Sequence, residues 1–191
     1  FHSKEPVTSL EDLNGMKVRG GSRIISDMLA ELGAEPIGMP VPQVTEALSK
    51  GVIDATTIPW EVTPSLRVAE LVQNHTGFTS QNGLYTQTFG FVMNMDSYNN
   101  LPDDLKAVID ANSGLETSRM FGRVMDNGDA TGLSIAVNAG NNVVQLDEAE
   151  TARWIEAAEP VVDRWLADMD GQGIDGQSLL DAARAAVAAE M

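Results

Sequence analysis

The chain has 191 residues, of which 43% are hydrophobic and 21% charged, so it carries enough apolar material for a sizeable core and is not disordered in bulk. Acidic residues outnumber basic ones by 28 to 12, which gives a formal charge of −16. This charge disfavours a nucleic-acid or anionic-membrane partner, because both need basic patches. An anionic small ligand would need a local cationic group.

Cysteine is absent, which excludes disulfides and thiolate metal sites. No apolar run approaches the roughly 18 residues of a transmembrane helix, so we expect a protein that is not membrane-embedded. The N-terminal FHSKEPV has no signal-peptide pattern. Because phenylalanine is not a natural first residue, we expect a processed or truncated polypeptide whose signal peptide is already removed.

The first third of the chain predicts an α/β fold. Residues 1–14 indicate an extended entry and a short helical turn capped by Ser9. Residues 15–60 then alternate three short apolar runs with two amphipathic segments, each bounded by Gly or Pro, as strand-helix-strand-helix-strand units do. The predicted strands are 16–19, 36–39 and 52–58, and the predicted helices are 22–32, capped by Ser22, and 42–50, ended by Gly51.

The remaining elements are predicted from periodicity and turn residues. We expect a helix at 61–72, a turn-rich connection at 74–83, a long strand at 84–95, a helix from 102 to about 137 with a break near 126–132, a strand at 141–146, and helices at 147–170 and 176–191. The 147–170 helix begins with a capping box of Asp147 and Glu150. Its predicted buried stripe is Ile155, Ala158, Val162, Trp165 and Met169.

Arg19 is the strongest candidate functional residue. It ends the first apolar run, immediately before Gly20 and Gly21, where a strand hands over to a helix and where open α/β sheets place their ligands. Its planar fork of donors matches a carboxylate, and the glycines allow close approach of a ligand. The alternative is that Arg19 pairs with a neighbouring acidic side chain, of which this chain has many.

The sequence offers no catalytic set and no metal site. His2 and His75 are the only histidines and stand in stretches that we interpret as polar loops, without a serine or carboxylate motif beside them. Asp54 follows an apolar run near a turn, a position typical of a backbone acceptor. No cluster of His, Asp and Glu has ligand spacing, so we expect no metal, no cofactor and no enzyme activity.

Three motifs together resemble a known family. LNGMKVR, EALSKGVIDA and NNLPDDLK, in this order and spacing, are similar to the second half of solute-binding proteins of the tripartite ATP-independent periplasmic (TRAP) transporters, the DctP type. The similarity covers essentially the whole chain. It implies a periplasmic-binding-protein-like two-lobe α/β fold, of which this chain is a fragment with most of lobe two and a minority of lobe one.

The resemblance also implies a domain plan and a mechanism. Residues 1–83 would belong to lobe two, 84–127 to lobe one, and 128–191 to lobe two again. The lobes would close around an organic acid whose carboxylate Arg19 grips, and TRAP membrane subunits would recognise the closed form in the periplasm. A ligand-sensing module of a signalling system is the alternative function.

Further ligand contacts are expected next to the third strand. Thr56, Thr57, Trp60 and Glu61 are candidates, and their alternative role is a strand-to-helix turn on which an aromatic ring packs. Many family members have a glycine after the aspartate of IDATTIPW, so the substrate stays open. Trp60 would favour a larger or aromatic acid over a small dicarboxylate.

The segment 84–125 is expected to lack neighbours in this chain. Phe89 and Phe91 would lie on one face of the predicted strand and line the cleft from the lobe-one side. If the 191 residues are the whole polypeptide, we expect this segment to self-associate or to be disordered, because its apolar faces have nothing to cover them.

Overall fold

A computed structural model of the chain describes residues 1–79 and 83–190. One mixed six-stranded sheet runs through the molecule in the order β3-β2-β4-β1-β5-β6. Its strands are β1 (His2–Ser3), β2 (Lys17–Gly20), β3 (Glu35–Gly38), β4 (Ala55–Thr56), β5 (Asn74–Phe78) and β6 (Asn142–Leu146). The predicted α/β class is confirmed.

The described residues also form eight helices. They are α1 (Arg23–Glu31), α2 (Val44–Lys50), α3 (Val68–Leu71), α4 (Met95–Asn99), α5 (Asp103–Ala111), α6 (Leu115–Asn138), α7 (Glu148–Gly171) and α8 (Gly176–Glu190). Short 3-10 turns cover Leu10–Leu13, Val41–Gln43 and Trp60–Val62.

The central part of the sheet is parallel. Strand β2 lies between β3 and β4 and runs parallel to both, with Arg19 opposite Ile37 on one side and Thr56 on the other. Strand β1 is antiparallel to β4 and β5, so it joins this part to the parallel pair of β5 and β6. The carboxyl ends of β2, β3 and β4 therefore meet at one edge, where ligands of α/β sheets bind.

Local capping signals begin and end the helices where the sequence predicts. Ser22 Oγ accepts a hydrogen bond of 3.2 Å from Ile25 N at the start of α1. Asp147 Oδ1 accepts one of 2.8 Å from Glu150 N at the start of α7. Gly51 ends α2 with φ +71°, the left-handed conformation in which glycine is favoured.

Two buried apolar clusters flank the parallel strands. One packs α1 and α7 against the sheet around Leu29, Val18 and Trp154. The other packs α2 and α3 around Leu48, Ile53 and Val68. Val18 of β2 and Ala55 of β4 belong to the first cluster, and Ile53 and Ile58, on either side of β4, belong to the second, so both clusters anchor this part of the sheet.

The long strand predicted at 84–95 is wrong. Residues 83–94 form no regular element, and α4 begins at Met95. Phe91 is 97% exposed and Val92 is 89% exposed. The apolar run gave the sequence signal of a buried strand, but in this chain no neighbouring strand pairs with the described part of it.

Three further predicted segments differ because tertiary contacts override the local pattern. The predicted turn-rich connection at 74–83 begins instead with strand β5, which β1 and β6 pair on both sides; residues 80–82 lie outside the described part of the chain. The predicted strand at 52–58 is confined to Ala55–Thr56. The predicted helix at 61–72 is a 3-10 turn followed by the short α3.

The helix predicted from 102 to about 137 breaks at a different glycine. It separates into α5 and α6 around Gly114, which has φ +91°, and α6 then runs without interruption through the expected break at 126–132. Gly114 adopts a conformation that only glycine enters easily, whereas the glycines within α6 are helical.

The buried stripe of α7 is rotated from the predicted one. Trp154 and Val161 are buried, whereas Ile155 is 59% exposed. Trp154 also packs edge-on against Phe1 and Phe78. The helix was therefore placed correctly, but the face that it turns to the sheet was not.

Candidate ligand-binding site

The site begins with Arg19, the penultimate residue of β2. Its side chain is buried, with 5% exposure, and it donates from Nε to the Met39 carbonyl at 3.2 Å and from Nη1 to the Thr57 carbonyl at 3.3 Å. No carboxylate in the described residues pairs with the guanidinium, and its other N–H groups find no acceptor there. Within the described residues, Arg19 therefore does not form the ion pair with an acidic side chain that was the alternative to ligand binding.

The charge of Arg19 is only partly compensated. Burial lowers the pKa of its guanidinium from the usual value. The usual pKa of an arginine side chain is so high that Arg19 still stays charged at neutral pH. A Cβ added to Gly21 would lie 3.1 Å from Arg19 Nη1, so the glycine leaves the fork approachable. A buried cation with free donors is suited to an anion that supplies the missing partner.

Thr57 ties the ends of β2 and β4 together. Its N–H and its hydroxyl both donate to the Arg19 carbonyl, at 3.2 and 3.0 Å, and its own carbonyl accepts from Arg19 Nη1. Tyr85 and Thr57 line one cleft. Burial raises the pKa of Tyr85, so the phenol stays protonated at neutral pH and is available as a donor.

Two clefts open beside this group. One, of about 610 Å³, is lined by Arg19, the Gly20–Gly21 turn, Ser22 and the residues after β3. The other, of about 340 Å³, has four aromatic side chains in its walls and is called the aromatic cleft below. Its aromatic residues are Phe1, Trp60, Phe78 and Tyr85, and its polar residues include Gln87 and Asp129.

The predicted contacts are only partly brought together. Arg19 and Thr57 are hydrogen-bonded, and Thr57 and Trp60 line the aromatic cleft. Thr56 is fully buried in β4, lines neither of these clefts, and its hydroxyl has no hydrogen-bond partner in the described residues. Phe89 is 59% exposed and lines neither cleft. Glu61 donates its N–H to Asp129 Oδ1 at 2.7 Å.

Sequence reasoning missed Tyr85 and misplaced the histidines. Tyr85 falls within the strand predicted at 84–95, and only its position shortly after the turn-rich stretch at 74–83 indicates a loop. His2 and His75 do not stand in polar loops: they are paired on strands β1 and β5, each 1% exposed. Their separation of 73 positions in sequence left no local signal.

The backbone of the turn that carries Trp60 packs against helix α6. Helix α6 passes so close to the Trp60–Val62 turn that a Cβ on Gly132 would overlap the Trp60 carbonyl oxygen and lie 2.8 Å from Thr63 Oγ1. One turn earlier, a Cβ on Gly128 would lie 2.7 Å from Glu61 Cβ. The two glycines therefore form a contact surface on which the turn carrying Trp60 rests.

The buried histidines make stability depend on pH. Burial lowers the pKa of His75 from 6.5 to about 4 and also lowers the pKa of His2. Below pH 6.5 the unfolded chain binds protons that the folded chain does not, so the unfolding free energy should fall as pH drops from 6.5 toward 4.

Urea unfolding at a series of pH values checks this dependence. Between pH about 5 and 6.5 carboxylates remain mostly ionised, so they add little to the slope there. A His75→Gln variant should lose the part of the slope that His75 contributes, while His2 keeps its own share. An unfolding free energy that stays level across this window in the parent protein would contradict the expectation.

The comparisons with known proteins agree with this architecture. Residues 1–168 match the family DctP, bacterial extracellular solute-binding protein, family 7. The chain belongs to this family, whose members bind solutes and are not enzymes. No helix within the described residues has both the length and the apolar character needed to cross a membrane.

The chain is similar to three further proteins of this type. A TRAP solute-binding protein from Rhodoferax ferrireducens, solved with copurified benzoate, is 43% identical, with a TM-score of 0.94 over 98% of this chain and 59% of its own. A marine metagenome TRAP solute-binding protein specific for aromatic acid ligands, solved with 3-hydroxybenzoate, is 42% identical, with a TM-score of 0.91 over 95% of this chain and 57% of its own. A solute-binding protein from Albidiferax ferrireducens is 27% identical over 81% of this chain and 45% of its own.

The lengths of these relatives matter for the site. The chain spans about half of each of them, between 45% and 59%. The clefts described above are therefore those that this half of the sequence builds.

Proposed function

We propose that the intact protein captures an organic acid through Arg19 and delivers it to TRAP membrane subunits from the periplasm. The observation that carries the proposal is a buried guanidinium, unpaired with any carboxylate in the described residues, at the carboxyl edge of parallel strands. Such a group gains its partner only when an anion binds, so a carboxylate ligand offsets a desolvation cost that the free protein bears.

Closure of two lobes is the proposed coupling to transport. A ligand that contacts both lobes binds the closed state better than the open state, which shifts the population toward the form that the membrane subunits recognise. Residues 84–127 would belong to lobe one, and the rest of the chain to lobe two. The exposure of Phe91 and Val92 supports this assignment, because large apolar side chains in a row indicate a surface that another part of a protein covers.

We further propose that the ligand is an aromatic carboxylate. The cleft beside Thr57 has four aromatic side chains in its walls and a volume of about 340 Å³, within the range of small-ligand sites. Tyr85 lies next to Thr57 and Arg19, so its phenol can donate to the carboxylate that Arg19 binds. The relatives solved with benzoate and 3-hydroxybenzoate have ligands of this chemistry.

Ligand preference is checked by a thermal-shift screen of the intact protein. Benzoate and 3-hydroxybenzoate should raise the melting temperature more than succinate or malate, because an indole or phenol wall gains contact area only from a ring. A Trp60→Leu variant should lose much of the benzoate shift, measured from the variant's own melting temperature without ligand. Stabilisation by the four-carbon dicarboxylates alone would contradict the aromatic assignment.

A further inference from the structure

His2 and His75 form a hydrogen-bonded pair beneath Trp60. They face each other across β1 and β5, and their Nδ1 atoms are 2.8 Å apart. Two nitrogens at this distance need one proton between them, so one ring donates and the other accepts. A pair with both rings charged would place two N–H groups against each other in a buried site.

The direction of this pair is fixed by its two ends. His2 Nε2 lies 3.0 Å from the Ile58 carbonyl, which can only accept, so His2 carries its proton on Nε2 and its Nδ1 accepts. His75 must then donate from Nδ1, which leaves its Nε2 to accept from Asn141 Nδ2 at 3.0 Å. The same amide nitrogen also faces the Ala69 and Val72 carbonyls at 2.9 and 3.1 Å, which fixes the Asn141 orientation.

This chain of hydrogen bonds ends beside the turn that carries Trp60, the residue predicted to form a wall of the ligand site. The Ile58 carbonyl held by His2 lies two residues before Trp60. The Trp60 indole contacts both imidazoles, with ring centroids 4.7 Å from His2 at an interplanar angle of 80° and 4.9 Å from His75 at 46°. His2 and Trp60 also line the same aromatic cleft.

We propose that His2 and His75 are positioning residues that hold the Trp60 indole in the orientation in which it forms the wall for an aromatic ligand. The inference depends on the proposed function for the identity of the ligand, whereas the contacts among His2, His75 and Trp60 do not depend on it. The ring contacts restrict the indole, and the hydrogen bond to Ile58 restricts its backbone. A packed core residue would stabilise the fold equally well, but it would not fix one ring orientation through a directional chain of donors and acceptors.

The test compares His2→Leu with His2→Gln in the intact protein. Leucine fills the space without hydrogen bonds, whereas the glutamine amide can restore the donor to the Ile58 carbonyl. The first readout is the indole N–H signal of Trp60 in a ¹H–¹⁵N spectrum, assigned with a Trp60→Phe variant. The signals of Trp154 and Trp165 are internal controls, because a general loss of structure would move them as well.

The expected results follow from the geometry. His2→Leu should shift or broaden the Trp60 signal alone and weaken benzoate binding by about fivefold to tenfold, the scale of a lost aromatic contact. His2→Gln should recover part of both effects. A folded His2→Leu variant whose Trp60 signal and benzoate affinity both match the parent's would overturn the inference.

A second measurement needs no variant and serves if His2→Leu does not fold. Nuclear Overhauser contacts in the parent protein should connect the Trp60 ring with the imidazole of His2 and, after benzoate is added, with the ligand ring. Benzoate that binds without contacting Trp60 would overturn the inference alone. A parent protein that binds none of the acids would overturn the proposed function, while the Trp60 signal would still test the role of the histidines.

Discussion

Replacing Arg19 with alanine should weaken benzoate binding by the intact protein by about 3–5 kcal/mol, the cost of breaking a buried charged pair. This is a loss of roughly two to four orders of magnitude in affinity. The reason is that the ligand carboxylate would enter the site without its cationic partner. Titration calorimetry of the parent and the variant with benzoate measures the effect.

Two controls make this result specific. Arg19→Lys keeps the charge but cannot form the two-donor fork, so it should also bind benzoate less tightly than the parent. Arg67→Ala makes the same change in net charge at an exposed arginine paired with Glu70, and it should leave the affinity within about twofold, because exposed charges are screened. If Arg19→Ala bound benzoate within about twofold of the parent, Arg19 would not be the carboxylate ligand.

The parts of the fold that the sequence predicts are those decided by short-range chemistry. Ser22 and Asp147 begin helices because their side chains satisfy backbone N–H groups three residues later. Gly51 ends a helix because it enters the left-handed conformation without strain. Such signals operate within one turn of chain, so they can be read without knowing what the helix packs against.

The errors fall where distant partners decide. Strand β5 lies in a polar, turn-rich stretch and is a strand because β1 and β6 pair with it on either side. The apolar stretch at 84–95 has the opposite problem: its composition suits a buried strand, yet the described residues supply no partner. Strand formation depends on neighbours in space more than on the residues of the strand itself.

The residues of the candidate site also divide into those with a local sequence signal and those without one. Arg19 was predicted because a lone cation at the end of an apolar run is conspicuous in so acidic a chain. Tyr85 and the histidine pair were not, since they reach the site from other strands and loops. His2 and His75 illustrate the limit: neither has a local motif, and only the register of β1 against β5 brings their rings together.

The contact of α6 with the turn carrying Trp60 leads to the second large effect, a loss of stability in Gly132→Ala. The added methyl group would overlap the Trp60 carbonyl oxygen, which is backbone and cannot rotate away. Helix and turn would have to separate, and overpacking of this kind costs about 1–3 kcal/mol or more. Urea unfolding of the variant and the parent measures the difference.

Gly122→Ala is the matched control, because it makes the same change in the same helix where a Cβ would meet nothing within 4 Å. Removing a helical glycine there should stabilise the protein by about 0.5–1 kcal/mol. The two variants should therefore move the urea midpoint in opposite directions. Since Gly132→Ala displaces the turn that carries Trp60, it should also weaken benzoate binding, whereas Gly122→Ala should not. Equal stability of the two variants would mean that α6 and the turn are not in the close contact described.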